Sequence, residues 1–321
     1  MSPIPSFLIV GTPRSGTTLV QRLACELPGV KVPLETQFFW LLAPRLTKNR
    51  TFPIGASELR QDLDWFIQRR GLDNGRLVAD DIVNELDGSC HQLLELFEVI
   101  IRQLAGTAST YGEKTPQHLF WWKELSQRMQ DLKFVVVVRD PRSVVASNLN
   151  VHWADRSHVL LAERWRFDQE QVSHALRSLG NGRCLLLRYE DVVSDSVRAR
   201  DRLRLFLGLD EVQRSGVEPE FVQAAEIMRP DEWWKMNAVE AVSMDRIDAW
   251  RQSLTRKQAT EITAICRDGM RRFGYDNDAP GVLSTARVTV GIGWRKNLRR
   301  LRFRASRHRH MRDVHKMAGY L

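Results

Sequence analysis

Two stretches of this 321-residue sequence put anion-binding residue types where a chain can present them. The first, Gly11-Thr12-Pro13-Arg14-Ser15-Gly16-Thr17-Thr18, follows the apolar run Phe7–Val10 and opens a helical pattern over Gly16–Glu26. A glycine-containing turn between a strand and a helix aims backbone N–H groups at one point, and the positive end of the helix dipole faces it too. With Arg14 inside the turn, the stretch reads as a cradle for phosphate or sulfate. The second is Arg139, at the end of Phe134-Val135-Val136-Val137-Val138, with Ser147 eight positions on. An arginine at the carboxyl end of a buried strand faces the crevice where open α/β sheets take ligands, and Ser147 falls two turns along a helix started by Pro141, so the pair reads as a grip on a second phosphate. The plainer alternatives are a strand–turn–helix connection with a hydroxyl cap, and a strand-end arginine paired with a local carboxylate.

The first stretch has the spacing of the GxxxxGK[ST] phosphate loop, but Thr17 stands where that loop carries lysine, which counts against a nucleotide-hydrolysing or kinase site. Two further stretches hold reactive side chains. Glu35, in Pro33-Leu34-Glu35-Thr36-Gln37-Phe38-Phe39, sits at a predicted helix start, where it is either a reactive carboxylate or a dipole-compensating acid. Lys114, in Gly112-Glu113-Lys114-Thr115-Pro116, is either a charge for a reaction centre or a surface lysine before a proline-started helix.

The elements that position these residues alternate short β-branched runs with longer helical patterns, the order of an α/β fold with a parallel sheet covered on both faces. Strands are predicted at Phe7–Val10, Phe134–Val138 and Cys184–Leu187, and helices at Gly16–Glu26, Pro141–Asn150, Ser194–Leu207, Asp81–Leu104, Val159–Leu179 and Arg256–Phe273. The turn-rich Asp276–Gly281 divides a body, residues 1–280, from a basic C-terminal tail, residues 281–321. The net charge of +9 belongs to that tail: eleven of the 48 Lys and Arg lie there against one acid, Asp313, leaving 37 basic and 38 acidic residues in the body. Nucleic acid is therefore not the expected partner. Trp294, Leu298 and Leu301 fall on one side of a helical pattern among arginines, so residues 294–316 are expected either to contact an anionic membrane surface or to be solvated. No apolar run approaches a bilayer span or a secretory core, and the expected location is cytoplasmic, peripheral where the tail meets a membrane. The four cysteines are widely spaced and read as buried thiols, with no metal-ligand pattern. Ten tryptophans, including Trp121-Trp122 and Trp233-Trp234, suggest either core packing or surface for apolar groups and sugars.

With Pro13-Arg14-Ser15-Gly16-Thr17-Thr18-Leu19 and the Arg139/Ser147 pair in this order, each after a strand, the sequence resembles the sulfotransferases that use 3′-phosphoadenosine-5′-phosphosulfate (PAPS), over most of residues 6–275. The resemblance implies a three-layer α/β/α fold related to P-loop nucleotide kinases. It implies that Arg14, Ser15, Gly16, Thr17 and Thr18 hold the 5′-phosphosulfate, that Arg139 and Ser147 hold the 3′-phosphate, and, through Leu187-Arg188-Tyr189-Glu190-Asp191, that Tyr189 lies near the adenosine. Glu35 resembles the catalytic base of the tyrosylprotein and heparan sulfate branches, and Lys114 the Lys-Thr-Pro lysine of the glycan-modifying branches. The implied co-substrate is PAPS with no metal required, and the implied acceptor is the hydroxyl of a small molecule, natural product, carbohydrate, lipid or tyrosine. The competing readings are a P-loop kinase, and a nucleic-acid or membrane-surface binder working through its tail.

Overall fold

Three apolar runs form neighbouring strands of a parallel sheet, two inside it and one at its edge, and their lack of polar alternation has a direct cause. The computed structural model describes residues 5–72, 77–151, 154–209, 228–229, 232, 243–275 and 294–321, the first five of the last segment as helical backbone only. The boundary at Asp276–Gly281, the pair Trp233-Trp234 and the side chains of Trp294 and Leu298 lie outside the described residues. In chain order the strands are β1 Phe7–Gly11, β2 Val30–Lys31, β3 Ile54–Gly55, β4 Ser89–Cys90, β5 Thr110–Lys114, β6 Lys133–Val138 and β7 Cys184–Arg188. Five of them form one sheet in the order β2-β5-β1-β6-β7, every pairing parallel. Alternate residues point to opposite faces, and both faces are covered. Leu8, Val10, Phe134, Val136 and Val138 join one apolar cluster, while Phe7, Ile9, Val135, Val137 and Leu187 join another. Two cores on one sheet make the architecture a three-layer α/β/α.

The helices are α1 Thr17–Cys25, α2 Phe38–Thr47, α3 Ala56–Arg70, α4 Ala79–Glu85, α5 Leu93–Ala105, α6 Trp122–Arg128, α7 Pro141–Leu149, α8 His158–Arg183, α9 Tyr189–Ser194 and α10 Ser196–Leu207, with later helices at Arg256–Arg272 and Trp294–Met317. α1 and α10 cover one face; α2, α5, α8 and Arg256–Arg272 contribute to the other core. The predicted single helix over Asp81–Leu104 is instead α4 and α5. Asp87 and Gly88 take positive φ, 51° and 81°, and release the chain into β4, which pairs antiparallel with β3. An Asp-Gly dipeptide tolerates that conformation and breaks the helical pattern.

The basic C-terminal helix packs along the body. Val314, Ala318 and Leu321 belong to the same core as Leu8 and Val136, and Arg128 Nη2 donates to Ala318 O at 2.7 Å. Arg300 and Arg304 reach across to Glu163 of α8, Nε to carboxylate at 2.7 and 3.0 Å, where Arg166 also donates. Burial would raise the Glu163 carboxyl, but these guanidiniums outweigh it and hold it below its ordinary value.

Candidate active site

The loops leaving β1, β5, β6 and β7 emerge at the carboxyl ends of parallel strands, around β1, whose sheet neighbours β5 and β6 come from much later in the chain. This is where open α/β sheets bind ligands. A cavity of about 840 Å³ lies here, with Arg14, Glu35, Arg139, Ser147, Tyr189 and Trp250 in its walls. The volume suits a nucleotide-sized ligand.

The loop after β1 turns through two left-handed residues, Arg14 at φ 75° and Gly16 at φ 94°, and is closed by the Ser15 N–H donating to Thr12 O at 3.1 Å. A Cβ at Gly16 would lie 2.3 Å from a ring carbon of Tyr189, so only glycine fits this close approach. α1 starts at Thr17 and no side chain caps its amino end, leaving its dipole to face the cavity beside Thr17 and Thr18.

The sequence-predicted residues Arg14, Arg139, Ser147 and Tyr189 meet in one cluster. Arg14 Nε donates to Ser147 Oγ at 3.1 Å. Arg139 donates to the carbonyls of Arg14 and Arg246 at 3.3 and 2.9 Å, and its guanidinium lies 4.0 Å from the centre of the Tyr189 ring. The structure therefore bonds Ser147 to Arg14, with Arg139 beside them across the loop. Arg139 has no carboxylate within ion-pair distance among the described residues, because Asp140 turns away to cap α7 and pair with Arg142 at 2.6 Å. The buried Arg139 Nε and Ser15 Oγ lack hydrogen-bond partners among the described residues. Burial and the neighbouring Arg139 charge lower Arg14 to about 10. Two guanidiniums held together in one crevice, with Arg139 Nε left unsatisfied among the described residues, are set up for an anion.

Glu35 stands opposite, in the turn before α2. It is not a helix cap: Gln37, at φ 55°, occupies that position. Its carboxylate accepts from Lys114 Nζ at 2.8 Å and from Gln37 Nε2 at 3.4 Å, and its backbone carbonyl is gripped by the Arg70 guanidinium, with Nε at 3.2 Å. Lys114, at the end of β5, is fully buried and reaches the cavity through Glu35. Behind this turn, the buried Glu113 accepts from Thr36 Oγ1 at 2.8 Å, Thr115 Oγ1 at 2.6 Å and His118 Nδ1 at 2.8 Å, and Thr115 Oγ1 takes the Gln37 N–H at 3.0 Å. His118 lies behind Glu113, and among the described residues no histidine lines the cavity. Glu35 is thus held to the cavity by an ion pair, a carbonyl clamp and a buried network, and shares the cavity wall with a second carboxylate, Glu232.

Glu113 makes a pH-dependent contribution. Burial would raise its carboxyl, but His118, by charge and hydrogen bond, and the Thr115 and Thr36 hydroxyls hold it below the ordinary value of 4.5. A depressed native pKa contributes stability above 4.5 that is lost as the pH falls through the lower native value. The gap in melting temperature between wild type and Glu113→Gln should be widest above that pH and narrow below it. A gap that stays constant through acid titration would discard the assignment.

Arg70, Arg246 and Trp250 were not singled out by sequence. Arg70 ends α3 with no motif around it, while Arg246 and Trp250 lie over a hundred residues beyond Arg139, with Trp250 stacked between Arg142 at 4.2 Å and Arg251 at 4.6 Å. Only the fold brings them to the cavity.

A sequence model of the sulfotransferase family matches residues 5–213. Curated relatives include a Protein-tyrosine sulfotransferase of Drosophila melanogaster, 24% identical over 59% of this chain and 35% of its own, and Carbohydrate sulfotransferase 3 of Tetronarce californica, 24% identical over 45% and 36%. The chain thus spans about a third of the length of either relative. Among solved structures, the sulfotransferase domain from the Synechococcus PCC 7002 olefin synthase is similar with a TM-score of 0.57 and 22% identity, over 86% of this chain and 96% of that one.

Proposed function

The chain belongs to the sulfotransferase family, and from that premise we propose that it transfers a sulfuryl group from PAPS to an acceptor hydroxyl, with Glu35 as general base. The observation that carries this reading is a carboxylate, Glu35, facing the cavity that also holds the strand-end arginines Arg14 and Arg139. The residues present fit such a donor. Arg14, the amino end of α1 and the hydroxyls of Thr17 and Thr18 suit its 5′ end, while Ser15 is fully buried behind the loop; Arg139 and Ser147 suit its 3′-phosphate; the Tyr189 and Trp250 rings border the cavity where its base would lie. The donor supplies the sulfuryl group and leaves as adenosine 3′,5′-bisphosphate.

Glu35 accepts the proton of the attacking hydroxyl, which must be lost as the S–O bond forms. Lys114 orients Glu35 through their ion pair, and offsets charge at the reaction centre from behind it. Arg14 faces the charge spread over the moving group, so positioning and electrostatics account for most of the rate, as in phosphoryl transfer. The acceptor remains any of the hydroxyl classes named above. A cytoplasmic location and contact of residues 294–316 with an anionic surface belong to the same proposal; they rest on the hydropathy and charge pattern.

The direct test is a thermal shift with adenosine 3′,5′-bisphosphate and with ATP, followed by transfer from labelled PAPS to an acceptor library, read by mass. The bisphosphate should stabilise the protein by RT ln(1 + [L]/Kd), about 2.7 kcal/mol at a hundredfold excess over Kd, and ATP much less. Stabilisation by ATP alone would return the P-loop kinase reading.

A further inference from the structure

A second pocket, of about 440 Å³, lies between α2 and the C-terminal helix. Trp40 borders both this pocket and the reaction cavity. It stands three residues beyond Gln37, about 4.5 Å along the α2 axis, with its indole 42% exposed. The facing wall is one side of the C-terminal helix, formed by Phe303, Arg307, Arg309, His310 and Asp313. The His310 ring meets Trp40 edge-on at 5.1 Å, and the Arg307 guanidinium lies 5.1 Å from the Phe303 ring centre.

Two features of this wall point to a ligand. Neither Arg307 nor Arg309 is within ion-pair distance of a carboxylate among the described residues; Arg307 also packs over Phe120 and its charge acts on the buried Asp168, which leaves Arg309 as the guanidinium set against Asp313 at the rim of the pocket. The buried Nε2 of His310 has no hydrogen-bond partner among the described residues, and burial, then the Arg307 charge, lowers the pKa of its ring. The exposed Trp40 side chain beside the Arg309 guanidinium suits a sugar or aromatic ring bearing an anionic group. The shared Trp40 places that ring on the Glu35 side of the cavity, away from the Arg139 and Tyr189 cluster assigned to the donor.

We propose that the pocket between Trp40 and the Phe303–Asp313 face is the distal acceptor subsite, taking a ring with an anionic substituent while the hydroxyl to be modified lies at Glu35. The assignment rests on the sulfuryl-transfer reading above. It gives the C-terminal helix a role in acceptor choice, with Glu163 positioning it through Arg300 and Arg304.

The test titrates phenyl β-D-glucuronide and phenyl β-D-glucoside, which differ in the carboxylate, into the full chain with and without saturating adenosine 3′,5′-bisphosphate. The glucuronide should bind about tenfold more tightly, the scale of one charge-assisted hydrogen bond. Arg309→Glu, at an exposed position, should abolish that preference; Arg299→Glu, exposed on the same helix but outside the pocket, should keep it. Trp40→Ala should weaken both glycosides. Equal binding of the two, no binding of the glucuronide, or a preference that survives Arg309→Glu overturns the subsite. Failure of the bisphosphate to bind counts against the donor reading instead, and is read separately in the same titrations.

Discussion

Glutamine at position 35 is expected to lower sulfuryl-transfer turnover by about 10²–10⁴-fold, the usual contribution of general-base catalysis, with the affinity for adenosine 3′,5′-bisphosphate nearly unchanged. The structure adds a complication that also sharpens the test. Lys114 is fully buried and paired with Glu35 at 2.8 Å, so neutralising Glu35 strands its ammonium. Breaking a buried pair from one side typically costs about 3–5 kcal/mol, so Glu35→Gln should also melt earlier. Replacing both partners, Glu35→Gln with Lys114→Met, removes the stranded charge and should restore much of the melting temperature. If Glu35 is the base, turnover stays low in the double variant. Turnover that returns with stability would reduce Glu35 to half of a structural ion pair. Single-turnover transfer beside calorimetric binding separates these outcomes.

Arg139→Ala should weaken adenosine 3′,5′-bisphosphate by about tenfold or more, because a guanidinium–phosphate contact contributes about 1.5–3 kcal/mol. Arg139 also packs on Tyr189 and donates to the carbonyls of Arg14 and Arg246, so its truncation loosens the cluster as well as removing a charge. A comparison with adenosine 5′-monophosphate, which lacks the 3′-phosphate, isolates the charge. Wild type should prefer the bisphosphate strongly, and Arg139→Ala should lose most of that preference. An undiminished preference would move the 3′-phosphate to other arginines of the cavity, Arg246 foremost.

What the sequence made legible follows from how each element is buried. β1, β6 and β7 are covered on both faces, so their apolar runs announced them nearly to the residue. β5, Thr-Tyr-Gly-Glu-Lys, is no less central, yet polar residues fill its carboxyl end because they serve the site, and the hydropathy pattern concealed a strand there. The same trade explains the site. Arg14, Ser147 and Arg139 follow recognisable strands and meet at one end of the sheet, although Ser147, expected beside Arg139, is bonded to Arg14. Glu113 carries no signal of its own beside Lys114, because a buried carboxylate with four donors looks like a surface acid until Thr36 is brought to it from far back in the chain and the turn after β5 folds His118 onto it. Arg70 and the pocket against the C-terminal helix could not be read at all, since both depend on which helices the fold sets side by side. The helix expected as a separate basic extension spends Arg300 and Arg304 on Glu163, a pairing that charge counting along the chain does not show.

The strand order also constrains how the protein is made. β1 leaves the ribosome well before its sheet neighbours, residues 112–114 and 133–137. Until those residues have been synthesised, Phe7-Leu8-Ile9-Val10 has no ladder to join, and the loop behind it has no second wall. Parallel pairings this distant in sequence form slowly, because the closure entropy comes before the contacts that offset it. The nascent chain therefore carries an exposed apolar segment until those partners have been made, which is where chaperone binding or misassociation would act. Anion-binding competence emerges last, so the first appearance of bisphosphate affinity during synthesis or refolding should mark closure of the whole sheet.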